Sequence, residues 1–472
     1  MNYELVIGLE THVELNTNSK IFCSCGGHSS PKEANDCVCP ACSGMPGMLP
    51  VMNKKVVELA VTAGLMLNCE ISRYTTFDKK NYYYPDLPCA YQITQLNHPI
   101  CTNGLVSLKT SQGARDIRIK QIHMEEDAGK LVHGGKYSYV DFNRTSVPLI
   151  EIVTQPDFRS AEEVVTYLSK LKSMFVSSGI SECEEGAMRC DVNISVREEG
   201  SDKFGVRTEI KNMSSFEAIE KAIKYEAQRH IDAIEFETEE LVQETRRFDD
   251  ASGKTFAMRN KETEADYRYF PDANLMPIVI DDEWLNEIKA NKPENVDEKA
   301  DAYRMAGISD KEIDMLISNY NINKLLDDVV KMGANAKDAA AWILTDCAGI
   351  LRKDGKTLSE LTITKEDLYA VIKMVSDGDI NRSAGKKILI AVIEDGVDPV
   401  KFCKENGLDK KLDTSSIDGV IDAVLSENAQ AVSDFKSGKV KALQALFGAC
   451  MKQLKGAGDP AVIKERLEEK LK

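Results

Sequence analysis

The chain has 472 residues, of which 43% are hydrophobic and 29% charged, and a formal net charge of −16. That length outgrows a single core and predicts about two to four domains of ordinary globular composition. The acidity argues against a large nonspecific nucleic-acid surface over the whole chain, and no apolar run approaches the ~20 residues that a membrane-spanning helix needs.

The first informative stretch is Gly8-Leu9-Glu10-Thr11-His12-Val13-Glu14-Leu15, entered through Val6 and Ile7. Read as a strand, it turns Leu9, Thr11, Val13 and Leu15 toward a core and Glu10, His12 and Glu14 the other way. Alternate residues on a strand face sit roughly 7 Å apart. A carboxylate and an imidazole at that spacing can share a hard divalent cation or work as an acid–base pair. A half-buried strand with a wet outer face carries the same pattern.

The chain has 13 cysteines, an odd number, and Cys23, Cys25, Cys37, Cys39 and Cys42 crowd together. This suits a reducing compartment and a metal better than a disulfide framework. The C-x-C and C-x-x-C pairs formed by Cys23, Cys25, Cys39 and Cys42 can close a tetrahedral zinc site, with Cys37 and His28 as further candidates. Reduced thiols that bind nothing are the alternative. Met1-Asn2-Tyr3-Glu4 lacks a basic region followed by an apolar one, so the expected location is cytoplasmic.

Residues 53–67 show the periodicity of a buried helix. The stretch from Phe77 to Pro88 sets Lys79 and Lys80 beside a tyrosine run, which can stack bases and hold phosphates or can be a loop pinned by buried aromatics. Glu125-Glu126-Asp127 places three acids in a row, a repulsion that a nearby cation would relieve. Glu151 stands inside the apolar run Leu149 to Val153, where a lone carboxylate is costly unless paired or metal-bound. Met188 to Arg197 alternates, with Asp191, Asn193, Ser195 and Arg197 facing outward, and Arg207, Glu209 and Lys211 share one face further on. Together these predict an antiparallel sheet with a polar concave face that can hold metal ions through acids and phosphates through Arg and Lys. No phosphate loop, dinucleotide fingerprint or nucleophile elbow is present, so nucleotide use would need an atypical site. Beyond Lys292-Pro293 the pattern turns all-helical, and from Ala431 onward nine Lys and Arg face five Asp and Glu. That local excess of +4 suits either a polyanion contact or a solvated helix face.

With these motifs in order, the chain resembles the B subunits of the bacterial aspartyl/glutamyl-tRNA amidotransferases. The resemblance runs through GLETHVELNTNSKIFC, CPACSGMPGMLPV, FDKKNYYYPDLP, HMEEDAGK, DFNRTSVPLIEIVTQPD, MRCDVNISVR, TEIKNMSSF and DYRYFPDANLMP, and on into NRSAGKKIL and FGACMKQLKGAGDP. It implies an α+β fold: an antiparallel-sheet cradle over 1–292, a helical domain over 293–405, and a small helical tail over 406–472 that touches tRNA. It implies a heterotrimer with an amidase, which supplies ammonia from glutamine, and a small third chain that clamps the other two. ATP and magnesium would phosphorylate the side-chain carboxylate of Glu-tRNA(Gln) or Asp-tRNA(Asn), and ammonia would then displace the phosphate. Such chemistry needs positioning, cations and positive side chains more than a covalent nucleophile.

Carried onto this sequence, the resemblance implies that Glu10, His12, Glu125 and Glu151 hold magnesium. Arg189, Asp191, Asn193 and Lys211 would lie toward ATP, and Lys79 and Arg144 would contact phosphate or carboxylate. Cys23, Cys25, Cys39 and Cys42 would form the family's variable zinc site. The chain departs from the family at Pro88-Cys89-Ala90-Tyr91, where a basic residue is usual in place of Cys89. The competing reading is a non-catalytic, zinc-bearing tRNA scaffold of the same complex.

Overall fold

The strand Tyr3–Glu14 runs through the middle of a nine-stranded sheet. It lies between Pro148–Thr154 on one side and Met188–Glu198 on the other, antiparallel to both. Gly113–Glu126, Cys101–Thr110 and Glu70–Ile71 continue the sheet beyond the first, and Thr208–Lys211, Glu244–Asp249 and Lys254–Asn260 beyond the second. This computed structural model describes residues 2–27, 33–111, 113–184, 186–260, 264–409, 414–436, 441–454 and 460–471.

The residue pattern predicts an antiparallel sheet, and the sheet departs from that at one pair. Thr208–Lys211 and Glu244–Asp249 run parallel because the helix Phe216–Phe236 intervenes and returns the chain to the same edge. Ser215 caps that helix by accepting from the amide of Ala218, as Ser160 caps the helix Ala161–Ser178 by accepting from that of Glu163. Gly179 ends the latter helix in the left-handed region at φ 71°.

Both helices, with Lys54–Met66, cover the odd-numbered side of the central strand. Ile7, Leu9 and Val13 there join Val192, Ile194, Ile150 and Ile152 in one core. Phe158 and Tyr167 meet edge to face at 5.3 Å, tying the Ala161–Ser178 helix to the segment that pairs with Ile7. The even-numbered side keeps its polar groups clear of these helices.

The chain divides into two units, Met1–Val296 and Asp297–Lys472, a few residues beyond the expected break at Pro293. The second unit is helical among its described residues. Its last four helices, from Thr414–Glu427 to Pro460–Leu471, share a core of their own built on Ile421, Val424, Leu446, Cys450, Ile463 and Leu467. Among the described residues, no helix is long and apolar enough to cross a membrane.

Because Phe158 is fully buried, Phe158→Ala should destabilise the first unit by about 3–5 kcal/mol. Thermal unfolding followed by circular dichroism would show the transition moving to lower temperature.

Candidate active site

The open side of the sheet is the floor of a cleft of about 360 Å³. Register decides what meets there. Arg189 lies opposite His12, His12 opposite Glu151, and Glu151 opposite His123, so four strands deliver one row in which Glu151 is flanked by two imidazoles. Glu125, two residues beyond His123, closes on His12 from the next row. His12 Nδ1 is 2.9 Å from Glu125 Oε1, and His123 Nε2 is 3.1 Å from Glu151 Oε2. The Thr94 hydroxyl stands 3.2 Å from His123 Nδ1 and 3.4 Å from Glu125 Oε2.

Two sets of ligand atoms emerge. His12, Glu125 and Glu151 offer one each within 4.8 Å of one another. Glu10, Asp191 and Glu209 do the same within 4.8 Å. Glu10 therefore stands apart from the group that the resemblance assigned it to, because it is one strand step from His12 and its cross-strand neighbour is Asp191. The second set is held by its neighbours: Asn193 donates to Glu10 at 3.0 Å, Thr245 to Glu209 at 2.7 Å, and Lys211 pairs with Asp191 and with Glu209. Both sets offer the oxygen-rich or mixed His–carboxylate donors that suit a hard divalent ion.

The electrostatics follow from burial against opposite charge. Burial pulls His12 down, but the charge of Glu151 and the hydrogen bond to Glu125 outweigh it and leave His12 at about 9. His123 rises for the same reasons, with Glu151 as its main partner. Burial pushes Glu125 and Glu151 up, yet the two imidazoles bring both below the usual carboxylate range. Lys211, opposed by burial, is held protonated by Asp191 and Glu209. A cation bound by His12 would displace its proton, since only neutral imidazole is a ligand.

Several residues expected at the site lie elsewhere. Lys79 pairs with Asp272 at 3.8 Å and sits 4.2 Å from the Tyr91 ring, while its neighbour Lys80 lines the cleft. Consecutive strand residues point to opposite faces, so a one-residue choice decided between them. Arg144 donates to the carbonyls of Ala128 and Gly129 and reaches Asp127 at 3.4 Å. Arg189 also binds Asp127, at 2.6 Å, so these two guanidiniums brace a loop. The row of three acids disperses: Glu125 faces the cleft, Asp127 meets the arginines, and Glu126 turns to the opposite side. There Glu126 accepts from Ser146 and from the amide of Ile93, and burial pushes it up to about 7. Cys89 shares that side, lining a separate cavity of about 240 Å³ with Glu126 and Tyr91. Residue reading missed His123, and it placed Glu209 on the polar face and Lys80 in the tyrosine stretch without assigning either a role at the site. The available signal was parity, since His123 shares a face with Glu125, and Glu209 with Lys211.

Cys23, Cys25, Cys39 and Cys42 bring their sulfurs within 4.8 Å of one another. Cys42 Sγ is 3.8 Å from that of Cys39 and 4.0 Å from that of Cys25. Four sulfurs in a tetrahedron ~2.3 Å from zinc lie ~3.8 Å apart, so the set fits the ion. A hydrogen bond from Cys23, helped by the Cys39 amide and the Lys20 ammonium, draws Cys42 down to about 4 against its burial. Cys37 turns its thiol to the carbonyl of Gly26, outside the set, and His28 lies outside the described residues.

A sheet whose open face carries two such acid sets matches the family model described as the GatB/GatE catalytic domain, over residues 5–286, and a GatB domain matches residues 324–471. The chain is 46% identical to the B subunit of the aspartyl/glutamyl-tRNA(Asn/Gln) amidotransferase of Lachnospira eligens, covering 100% of both. It is 44% identical to the protein of the same name from Carboxydothermus hydrogenoformans, over 99% of each, and 45% identical to that of Agathobacter rectalis, over 100% of each. The chain belongs to the family of aspartyl/glutamyl-tRNA(Asn/Gln) amidotransferase B subunits.

Since His12 titrates near 9 in the cation-free fold against 6.5 ordinarily, its contribution to stability is complete below about 6.5 and lost as pH rises through 9. The melting temperature of metal-free protein should fall across that window, and His12→Gln should flatten the fall.

Proposed function

We propose that this chain activates the side-chain carboxylate of Glu-tRNA(Gln), Asp-tRNA(Asn) or both by phosphoryl transfer from ATP, and that ammonia then displaces the phosphate to give the amide. A carboxylate is a poor electrophile, and an acyl phosphate carries a leaving group. The observation that carries this reading is the pair of acid sets facing one cleft beside Lys80 and Lys211. Pure tRNA binding has no use for six converging ligand residues.

In this reading His12, Glu125 and Glu151 hold one magnesium ion, and Glu10, Asp191 and Glu209 hold a second. Bound there, magnesium supplies charge neutralisation for the phosphates and in-line alignment of the transfer. The chain's own residues do the rest. Asn193 aims Glu10, and Thr94 orients His123 and Glu125. Lys211 remains charged to face anionic oxygen, and Lys80 stands across the cleft, 4.8 Å from the Tyr267 ring. Ammonia comes from a partner amidase, with a small third chain completing a cytoplasmic heterotrimer, and the basic end of this chain contacts tRNA. The four cysteines hold a structural zinc.

The test uses the assembled complex with its amidase partner inactivated, supplied with ammonium chloride, ATP, magnesium and each mischarged tRNA separately. Amide should form, and Glu125→Gln should lower its rate by at least about 100-fold while tRNA binding survives. Binding without amide or tRNA-dependent ATP cleavage in the unmutated chain would return the scaffold reading. Elemental analysis should find about one zinc per chain, lost in Cys42→Ser.

A further inference from the structure

The helix Phe216–Phe236 buries an apolar side against the sheet, and Glu226 and His230 stand in that side, one turn apart, at 0% and 1% exposure. A carboxylate among Ala222, Ile223 and Ala227 is costly unless it is paired and hydrogen-bonded. Here the pairing reaches three strands. Glu226 accepts from Arg229 on its own helix at 2.9 Å and from the Thr255 hydroxyl at 2.6 Å, and it lies 3.7 Å from Arg246. His230 Nε2 is 3.4 Å from Glu226 and 2.9 Å from the Thr208 hydroxyl. Burial pushes Glu226 up, but hydrogen bonds from His230, Arg229 and Thr255 outweigh it and hold the carboxyl at about 2, as an anion.

Two of the strand residues that this cluster grips stand next in sequence to residues of the cleft. Thr208 precedes Glu209, and Arg246 follows Thr245. Consecutive strand residues face opposite sides, so whatever fixes Thr208 and Arg246 behind the sheet fixes Glu209 and Thr245 in front of it. These strands need such a grip. Thr208–Lys211 has four residues, of which Ile210 alone is apolar, and its pairing with Glu244–Asp249 is parallel. The ladder beyond shifts register between Thr245 and Arg246. A bulge beside a site re-aims a side chain. The side chain here is Thr245, whose hydroxyl donates to Glu209 at 2.7 Å. Apolar packing specifies the register of so short a strand weakly, whereas a buried cluster of directed hydrogen bonds selects one arrangement.

We propose that Glu226 is a positioning residue of the second acid set. From behind the sheet, through His230 to Thr208 and directly to Arg246, it fixes where Glu209 and Thr245 stand, and with them the grip of that set on its ion. This rests on the reading that Glu10, Asp191 and Glu209 hold a divalent ion. A cluster that only added stability would change how much protein is folded, and not how tightly the folded protein holds an ion.

The experiment titrates the assembled complex with manganese alone and follows the free ion by electron paramagnetic resonance. The unmutated complex should bind one ion at each acid set, and Glu209→Gln should abolish one class of binding, which marks it as belonging to the second set. Glu226→Gln keeps the size of the side chain and removes its charge, and Thr208→Val keeps the shape and removes the hydroxyl that meets His230. Each should weaken the marked class by about tenfold or more and leave the other class unchanged. Thr208→Ser, which keeps the hydroxyl, should bind like the parent. If Glu226→Gln fails to fold, the two Thr208 variants decide. Variants that hold both ions like the parent, that weaken both classes alike, or a Thr208→Ser as weak as Thr208→Val, overturn this assignment alone. An unmutated complex without the class that Glu209→Gln removes overturns the two-ion reading and this assignment with it.

Discussion

The Tyr3–Glu14 strand has to bury one side and charge the other, and the rest of the first unit is arranged around that demand. Its odd-numbered residues sink to nearly complete burial at Ile7, Leu9 and Val13, while Glu10 and His12 stay in the open cleft. A slip of one residue would bury the charges and expose the core, so the hydrophobic side locks the register of both neighbouring strands. With that lock, Glu10 meets Asp191 and His12 meets Glu151 with no further specification.

Like charges brought together this way require an answer, and the two acid sets answer differently. Around Glu125 and Glu151 the answer is imidazole: His12 and His123 interleave with the carboxylates, and a cation held by His12 would replace its proton. Around Asp191 and Glu209 the answer is the ammonium of Lys211, with Thr245 fixing Glu209 from the side and Asn193 fixing the neighbouring Glu10. The first set can exchange the His12 proton for metal. The second can exchange the grip of its lysine. The cleft thus gathers carboxylates whose mutual repulsion an added cation would offset.

The cysteine set shows how spacing and environment combine. C-x-C and C-x-x-C bring pairs together by chain geometry alone, but the loop that closes them into a tetrahedron also needs Lys20. That fully buried lysine donates to the carbonyls of Cys37 and Phe142 as well as to Cys42. Its charge favours the thiolate form that a metal requires. The same loop carries Cys42 into the wall of the cavity that holds Cys89 and Glu126, on the far side of the sheet from the cleft.

Local pattern determined a good deal of this protein. Period-two alternation revealed the core side and the polar side of the main strands, cysteine spacing revealed the sulfur set, and Glu151 identified itself by standing in an apolar run. Long ordered motifs carried the family. Pattern has no access to which strands become neighbours, and that is where the reading changed. Glu10 belongs with Asp191 and Glu209 because cross-strand register put them together. His123 joined the site because its strand pairs beside that of Glu151. Lys80 rather than Lys79 came to line the cleft on the parity of a four-residue strand, Asp78–Asn81, too short to show its own alternation. The parallel pair at the sheet edge arose from a helix that returns the chain to the same side. Side-chain periodicity is local and survives in one dimension, whereas contacts between residues far apart in the chain, such as His12 with Glu125, are decided only when the strands pair.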